Sequence, residues 1–213
     1  MHAISGEVVA VLLLFIAALL LFAFIADESV LEHNYAFDTK VAALVAACSS
    51  PFLVKLMHRV TFFGSSQFLL PAYFVLAGYF LYKKNRDVAF KIMLIAVSST
   101  VIMYLLKQLF KRHRPSMPVS EAVVGYGFPS GHSLSSFIFC SILSYLVWLS
   151  SIKKTWKYIA IVLLMLFSFT IGFSRIVLNV HYATDVIGGF CFGIIWILLC
   201  YYFLVKFKHK SLV

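Results

Sequence analysis

Apolar residues in this chain come in long unbroken runs rather than at the spaced positions of a water-facing helix. Six runs approach or reach the roughly 20 residues needed to cross a bilayer as a helix: about 8–26, 68–82, 88–106, 133–152, 158–174 and 186–205. The second is short but extends backward through 61–67, and the third carries Lys91 near one end, where a long side chain reaches the interface. The first run lacks a basic segment before it and is longer than a cleaved leader, so a retained helix is expected. Residues 27–66 are too long for a bare loop, and their apolar stretches are interrupted at Pro51. One or two short helices lying on the outer surface are predicted there, and a re-entrant segment is also compatible with the pattern. The expected fold is all-α: one domain, 1–213, formed by an integral membrane bundle of six transmembrane helices with short extracytoplasmic helices between spans one and two.

Composition strengthens this reading. The chain is 62% apolar and only 12% charged, where a soluble domain carries about 25% charged residues. A net charge of +10 would suggest nucleic acid in a soluble protein. In a membrane bundle it is explained by basic loops on the inner side, so no nucleic-acid partner is expected. With the N-terminus inside, the inner segments 83–87, 153–157 and 206–210, together with Lys91, hold ten basic residues against two acids, Glu7 and Asp87. The other side holds eight basic and six acidic residues. Both termini are therefore expected in the cytoplasm of a multi-pass plasma-membrane protein. The four cysteines show no CxxC or Cys/His spacing, so no metal site is indicated and the thiols are expected to pack.

Three polar clusters then stand out at the ends of spans, all on the outer side. In KQLFKRHRP (107–115), Lys107, Lys111 and Arg114 fall at i, i+4 and i+7, one face of a helix stopped by Pro115. By itself this stripe equally describes a basic collar. In PSGH (129–132), Ser130 is placed to cap the fourth span beside Gly131, which makes the helix start an anion site, and His132 titrates near neutrality. An ordinary cap with an interfacial histidine fits those residues too. In SRIVLNVHYATD (174–185), His181 and Asp185 are four apart, so the carboxylate can hold one ring nitrogen and leave the other as a nucleophile, with Arg175 nearby. Together the clusters would bring three cations, a helix N-terminus and two histidines to one place, the equipment for binding a phosphate and transferring a phosphoryl group without a metal.

At these residues the chain resembles the type 2 phosphatidic acid phosphatase (PAP2) superfamily, specifically its membrane lipid phosphatases of bacterial type. The signature KxxxxxxRP, PSGH, SRxxxxxHxxxD is filled at every fixed position, by Lys107–Arg114–Pro115, Pro129–Ser130–Gly131–His132 and Ser174–Arg175–His181–Asp185. The resemblance implies that His181 attacks phosphorus to form a phosphohistidine, that Asp185 orients it, and that His132 serves as acid and then base. It implies phosphate binding by Lys107, Arg114, Ser130, Gly131 and Arg175, with no cofactor and no metal ligands. Lys111, Arg112 and His113 lie outside the signature and are read as surface or substrate-approach charges. The implied partner is a lipid phosphate in the bilayer: undecaprenyl diphosphate, phosphatidylglycerol phosphate or phosphatidic acid, cleaved at the outer face. Relatives that use the same pocket as soluble vanadium haloperoxidases are excluded by the spans. A lipid phosphotransferase, or a non-enzymatic phospholipid-binding or transport protein, remains an alternative. The sequence carries no signal for an oligomeric state.

Overall fold

The computed structural model describes residues 6–119 and 124–210, with side chains through Leu204. Eight α-helices follow in order among these residues: α1 (Gly6–Ile25), α2 (Ala36–Cys48), α3 (Pro51–Thr61), α4 (Ser66–Tyr82), α5 (Arg86–Phe110), α6 (Gly131–Leu149), α7 (Lys154–Val177) and α8 (Ala183–Lys210). A π-helical turn, Ala26–Leu31, prolongs α1, and a single 3₁₀ turn, Phe62–Gly64, links α3 to α4.

Among the described residues, five helices are long and apolar enough to cross a membrane: α1 with its π turn, α5, α6, α7 and α8. Helix α4 is a shorter apolar helix of 17 residues, and it supplies the sixth expected span. All six lie within a few residues of their expected positions. Residues 36–64 form two helices bent by 117°, within the expected one or two short helices and equally the shape of a re-entrant segment. Pro51 is the first residue of α3, where its missing N–H costs nothing, and the Ser50 hydroxyl accepts from Leu53 N–H at 3.2 Å. The break at Pro51 therefore starts a new helix instead of ending the segment.

Solvent choice is written on the surface. In α1 only Ala18, Phe22 and Ile25 are buried while Leu12, Leu13, Leu20 and Phe24 stand fully outward. No water-soluble fold tolerates such a face, whereas hydrocarbon does.

Helix α6 is central and packs on both α7 and α8. Its buried face alternates aliphatic residues (Leu134, Ile138, Ile142) with serines (Ser133, Ser136, Ser144), and Ser136 meets Ser168 of α7 at 3.2 Å between hydroxyls. Small residues permit this closeness, as is usual between membrane helices. The same holds at Gly189, where a Cβ would sit 2.7 Å from the Ser130 carbonyl oxygen. Helix α3 packs on the far end of α7 through Met57, which is buried with Val177, Leu178 and Val180. This core lies directly beneath the turn that carries His181. Cys140 and Cys191 are buried as expected, and Cys48 is exposed at the end of α2.

Candidate active site

The C-terminus of α5, the N-terminus of α6, the C-terminus of α7 and the N-terminus of α8 meet at one end of the bundle. Each of the three motifs therefore reaches the same place by helix topology.

His181 is held between two helix caps. Helix α7 ends in a Schellman motif, in which Asn179 N–H donates to the Ile176 carbonyl at 2.9 Å and Val180 N–H to the Arg175 carbonyl at 3.1 Å. Asn179 takes φ 50°, a left-handed value that asparagine accepts more readily than most residues. Helix α8 then begins at Ala183, and its third residue, Asp185, reaches back to accept from Tyr182 N–H at 3.0 Å. Only three residues, Val180, His181 and Tyr182, separate the two caps.

The imidazole is fully engaged. Its Nδ1 lies 3.2 Å from Asp185 Oδ2 and its Nε2 lies 2.8 Å from Arg114 Nη1. A guanidinium donates only, so Nε2 holds its lone pair toward Arg114 and Nδ1 carries the proton toward Asp185; the tautomer follows from these partners. Burial pushes His181 down to about 4, and the cations Arg114 and Lys107 act in the same direction against the pull of Asp185. The ring is neutral at physiological pH, with its free electron pair facing the cations.

Those cations arrive by different routes. Lys107, in the last turn of α5, donates to the Tyr126 carbonyl at 2.7 Å and reaches Gly127 O at 3.4 Å. Arg175, in the last turn of α7, donates to the Thr61 hydroxyl at 2.6 Å, while its buried Nε has no partner among the described residues. A buried donor left unpaired costs about 1–3 kcal/mol, a cost that a bound anion relieves. Arg114 also bonds the carbonyls of Val180 and Gly125, both at 2.9 Å.

One expectation about this cluster is corrected. Lys107, Lys111 and Arg114 do not share a helix face, because α5 ends at Phe110 and Lys111 turns the chain at φ 48°. Lys111 and His113 are exposed, as the surface reading expected. Arg112 is not: it is 2% exposed, ion-paired with Asp38 at 2.7 Å and Asp185 at 2.6 Å. A left-handed residue at the helix end reverses which following side chains face inward, and run-on helical spacing does not anticipate that.

At the head of α6 the Ser130 hydroxyl accepts from Ser133 N–H and Oγ–H, at 3.4 and 2.9 Å, as a cap does. Ser130 N–H donates to the Asp185 carbonyl at 2.9 Å, which fastens this helix start to α8. Gly131 lies against Met103 and within 4.0 Å of Lys107 Cε at its Cβ position. The Gly131 and His132 amides belong to a first turn that has no carbonyl of its own to meet. His132 is half-buried beside Gly64 and lies within electrostatic reach of Arg175, His181, Arg114 and Lys107.

The structure thus brings together His181, Asp185, His132, Lys107, Arg114, Arg175, Ser130 and Gly131. It adds Asp38, Thr61, Gly64 and Thr184, which no motif singled out. Asp38 stands next to Thr39 and Lys40 in the first turns of α2, so its sequence context gives no sign of burial. A groove of about 940 Å³ between α5, α6 and α8 opens at their opposite ends, around Lys91, Tyr145 and Tyr201, and contains none of these residues. At the polar cluster, Arg114 occupies the approach to Nε2.

Residues 88–209 match the PAP2 superfamily. The chain is 34% identical over 199 residues to phosphatidylglycerophosphatase B of Bacillus subtilis (strain 168), covering 91% of each. It is 31% identical over 100 residues, 44% of each chain, to dolichyldiphosphatase 1 of Dictyostelium discoideum. Among solved structures, a transmembrane PAP2-type phosphatidylglycerolphosphate phosphatase from Bacillus subtilis superposes with a TM-score of 0.78 at 27% identity, covering 92% of this chain and 96% of that one. LpxE of Aquifex aeolicus shares the fold, with a TM-score of 0.60 at 24% identity over 81% of this chain and 97% of its own.

Proposed function

The chain belongs to the PAP2 superfamily, and on that premise we propose that it hydrolyses phosphatidylglycerol phosphate at the outer face of the membrane. The substrate assignment rests on the similarity across nine-tenths of the chain to phosphatidylglycerophosphatase B. The assignment of sides rests on loop charge, which puts both termini in the cytoplasm and the polar cluster outside.

The observation that carries the chemistry is the pair of contacts on His181, Asp185 at Nδ1 and Arg114 at Nε2. A site that only binds phosphate has no use for a neutral imidazole with a directed lone pair. When substrate enters, Arg114 turns from Nε2 to a phosphate oxygen, and Lys107 and Arg175 neutralise the others. His181 Nε2 then bonds to phosphorus as the phosphorus–oxygen bond to the lipid breaks, and His132 gives its proton to the departing phosphatidylglycerol oxygen. Asp185 faces the positive charge that develops on the His181 ring. In the second half, His132 takes a proton from water, the water oxygen bonds to phosphorus, and the bond to Nε2 breaks to release inorganic phosphate. Ser130 and the Gly131 amide shape the oxygen pocket at the α6 N-terminus.

Purified protein in detergent should release phosphate from phosphatidylglycerol phosphate in the presence of a chelator. His181→Ala should abolish release while remaining monodisperse. Rapid denaturation of the working enzyme with labelled substrate should trap acid-labile, alkali-stable label on the wild type only. Full activity in His181→Ala refutes the mechanism. The match to a dolichyl diphosphatase supports isoprenoid diphosphates as the second substrate class, and running both lipids in the same phosphate-release assay ranks them.

A further inference from the structure

Helix α2 buries one residue among those described, and it is a carboxylate, Asp38, 1% exposed. A helix that docks through a buried acid needs partners for it, and Asp38 has three. Its Oδ1 accepts Thr184 N–H at 2.9 Å, capping the first turn of α8 from another helix. Its Oδ2 accepts the Thr184 hydroxyl at 2.6 Å and Arg112 Nη2 at 2.7 Å. Arg112 continues the chain through Nη1, which donates to Thr184 Oγ1 at 2.7 Å and to Asp185 Oδ1 at 2.6 Å. The Tyr35 and Tyr182 rings, 5.2 Å apart, lie 5.2 and 4.6 Å from the guanidinium carbon and fix its plane.

The consequence falls on Asp185. Its Oδ2 serves His181 and Tyr182 N–H, and its Oδ1 is committed to Arg112. A carboxylate held at both oxygens keeps its angle to the imidazole, whereas one held at a single oxygen rotates. Charge gives a second reason. Two buried carboxylates and one guanidinium leave one net negative charge, which matches the single positive charge that forms on the His181 ring when Nε2 is phosphorylated. We propose that Arg112, held by Asp38, is a positioning residue for phosphoryl transfer, fixing Asp185 against His181 and coupling the nucleophile to α2 of the covering segment. The proposal rests on His181 being the nucleophile.

The test measures kcat and KM on short-chain phosphatidylglycerol phosphate in detergent micelles for five variants: His181→Ala, Arg112→Gln, Asp185→Asn, Arg112→Gln/Asp185→Asn and Arg112→Gln/Asp38→Asn. Misplacing a reacting group by about 1 Å costs roughly 100-fold, so Arg112→Gln should lower kcat about 30- to 100-fold with KM within about twofold. Added to Asp185→Asn, the same change should cost less than about threefold more, because both act through one carboxylate. Losses that multiply, or a wild-type kcat in Arg112→Gln, overturn the proposal. Arg112→Gln strands two buried acids and is prone to misfold. Arg112→Gln/Asp38→Asn removes opposite charges together and decides the question if the single variant does not fold. That variant should keep the kcat loss, and recovery to wild type also overturns the proposal. Activity in His181→Ala defeats the nucleophile reading and this one with it. Inactivity there, with wild-type kcat in the Arg112 variants, defeats this one alone.

Discussion

Gly64 offers a graded way to move His132 without touching it. The glycine ends the 3₁₀ turn between α3 and α4, and a Cβ there would lie 2.5 Å from Ile171 Cγ2, 3.0 Å from His132 Cδ2 and 3.3 Å from His132 Cβ. Ordinary carbon contacts begin at 3.4 Å, so Gly64→Ala asks the imidazole to retreat by about 0.4 Å and asks Ile171 to retreat by more. Overpacking of this kind costs about 1–3 kcal/mol in stability. With about 100-fold lost per 1 Å of misplacement, a shift of that size should lower kcat roughly five- to tenfold. Phosphate release under saturating lipid measures it, and thermal inactivation in detergent reports the stability cost separately. Gly78 of α4 has nothing within 4 Å of its Cβ position, so Gly78→Ala is the control. It should gain up to about 1 kcal/mol of helix stability and leave kcat unchanged. A Gly64→Ala enzyme at wild-type kcat, less stable than the wild type, would show that His132 does not act from this position.

Other expectations concern protonation and packing. Because burial brings His181 from 6.5 to about 4, the proposed nucleophile stays neutral well below neutrality, so the acid limb of kcat/KM should fall near pH 4. A limb near pH 6.5 contradicts this. The depressed folded value also means that stability is fully present above about pH 6.5 and is lost as pH falls toward 4, which pH-dependent melting checks. Thr61→Val removes the Arg175 hydroxyl partner, and should lower kcat/KM by about 1 kcal/mol, roughly fivefold, mostly through KM. Gly189→Ala sets a methyl group 2.7 Å from the Ser130 carbonyl and 3.0 Å from Ser133 Cβ. Neither backbone nor buried serine can yield, so it should reduce both monodisperse yield and activity, read by size-exclusion chromatography.

The chain order of its parts was legible from residues alone because the relevant rules are local. A run without charges declares a span by its length, and the cap at Ser130 and the His181–Asp185 pair need only near neighbours. The membrane also forces each polar motif to a helix end, which is why three motifs far apart in sequence were legible as one site.

What stayed hidden depends on pairs distant in the chain. In KRHR, residues 111–114, four basic side chains look alike. Their fates diverge because α5 stops at Phe110 and the left-handed turn at Lys111 sends Arg112 into the core while Lys111 and His113 stay outside. The ion pair of Arg112 with Asp38 joins residues 74 positions apart, and the wall that Thr61 and Gly64 present to Arg175 and His132 is equally non-local. The sequence by itself determined the bundle and the set of polar side chains that gather at one end of it, since hydrocarbon enforces those through segment length and charge. Only the tertiary structure decided which arginine meets the imidazole and which one stands behind its carboxylate. Those choices depend on backbone direction at helix ends and on packing between helices, which no spacing along the chain encodes.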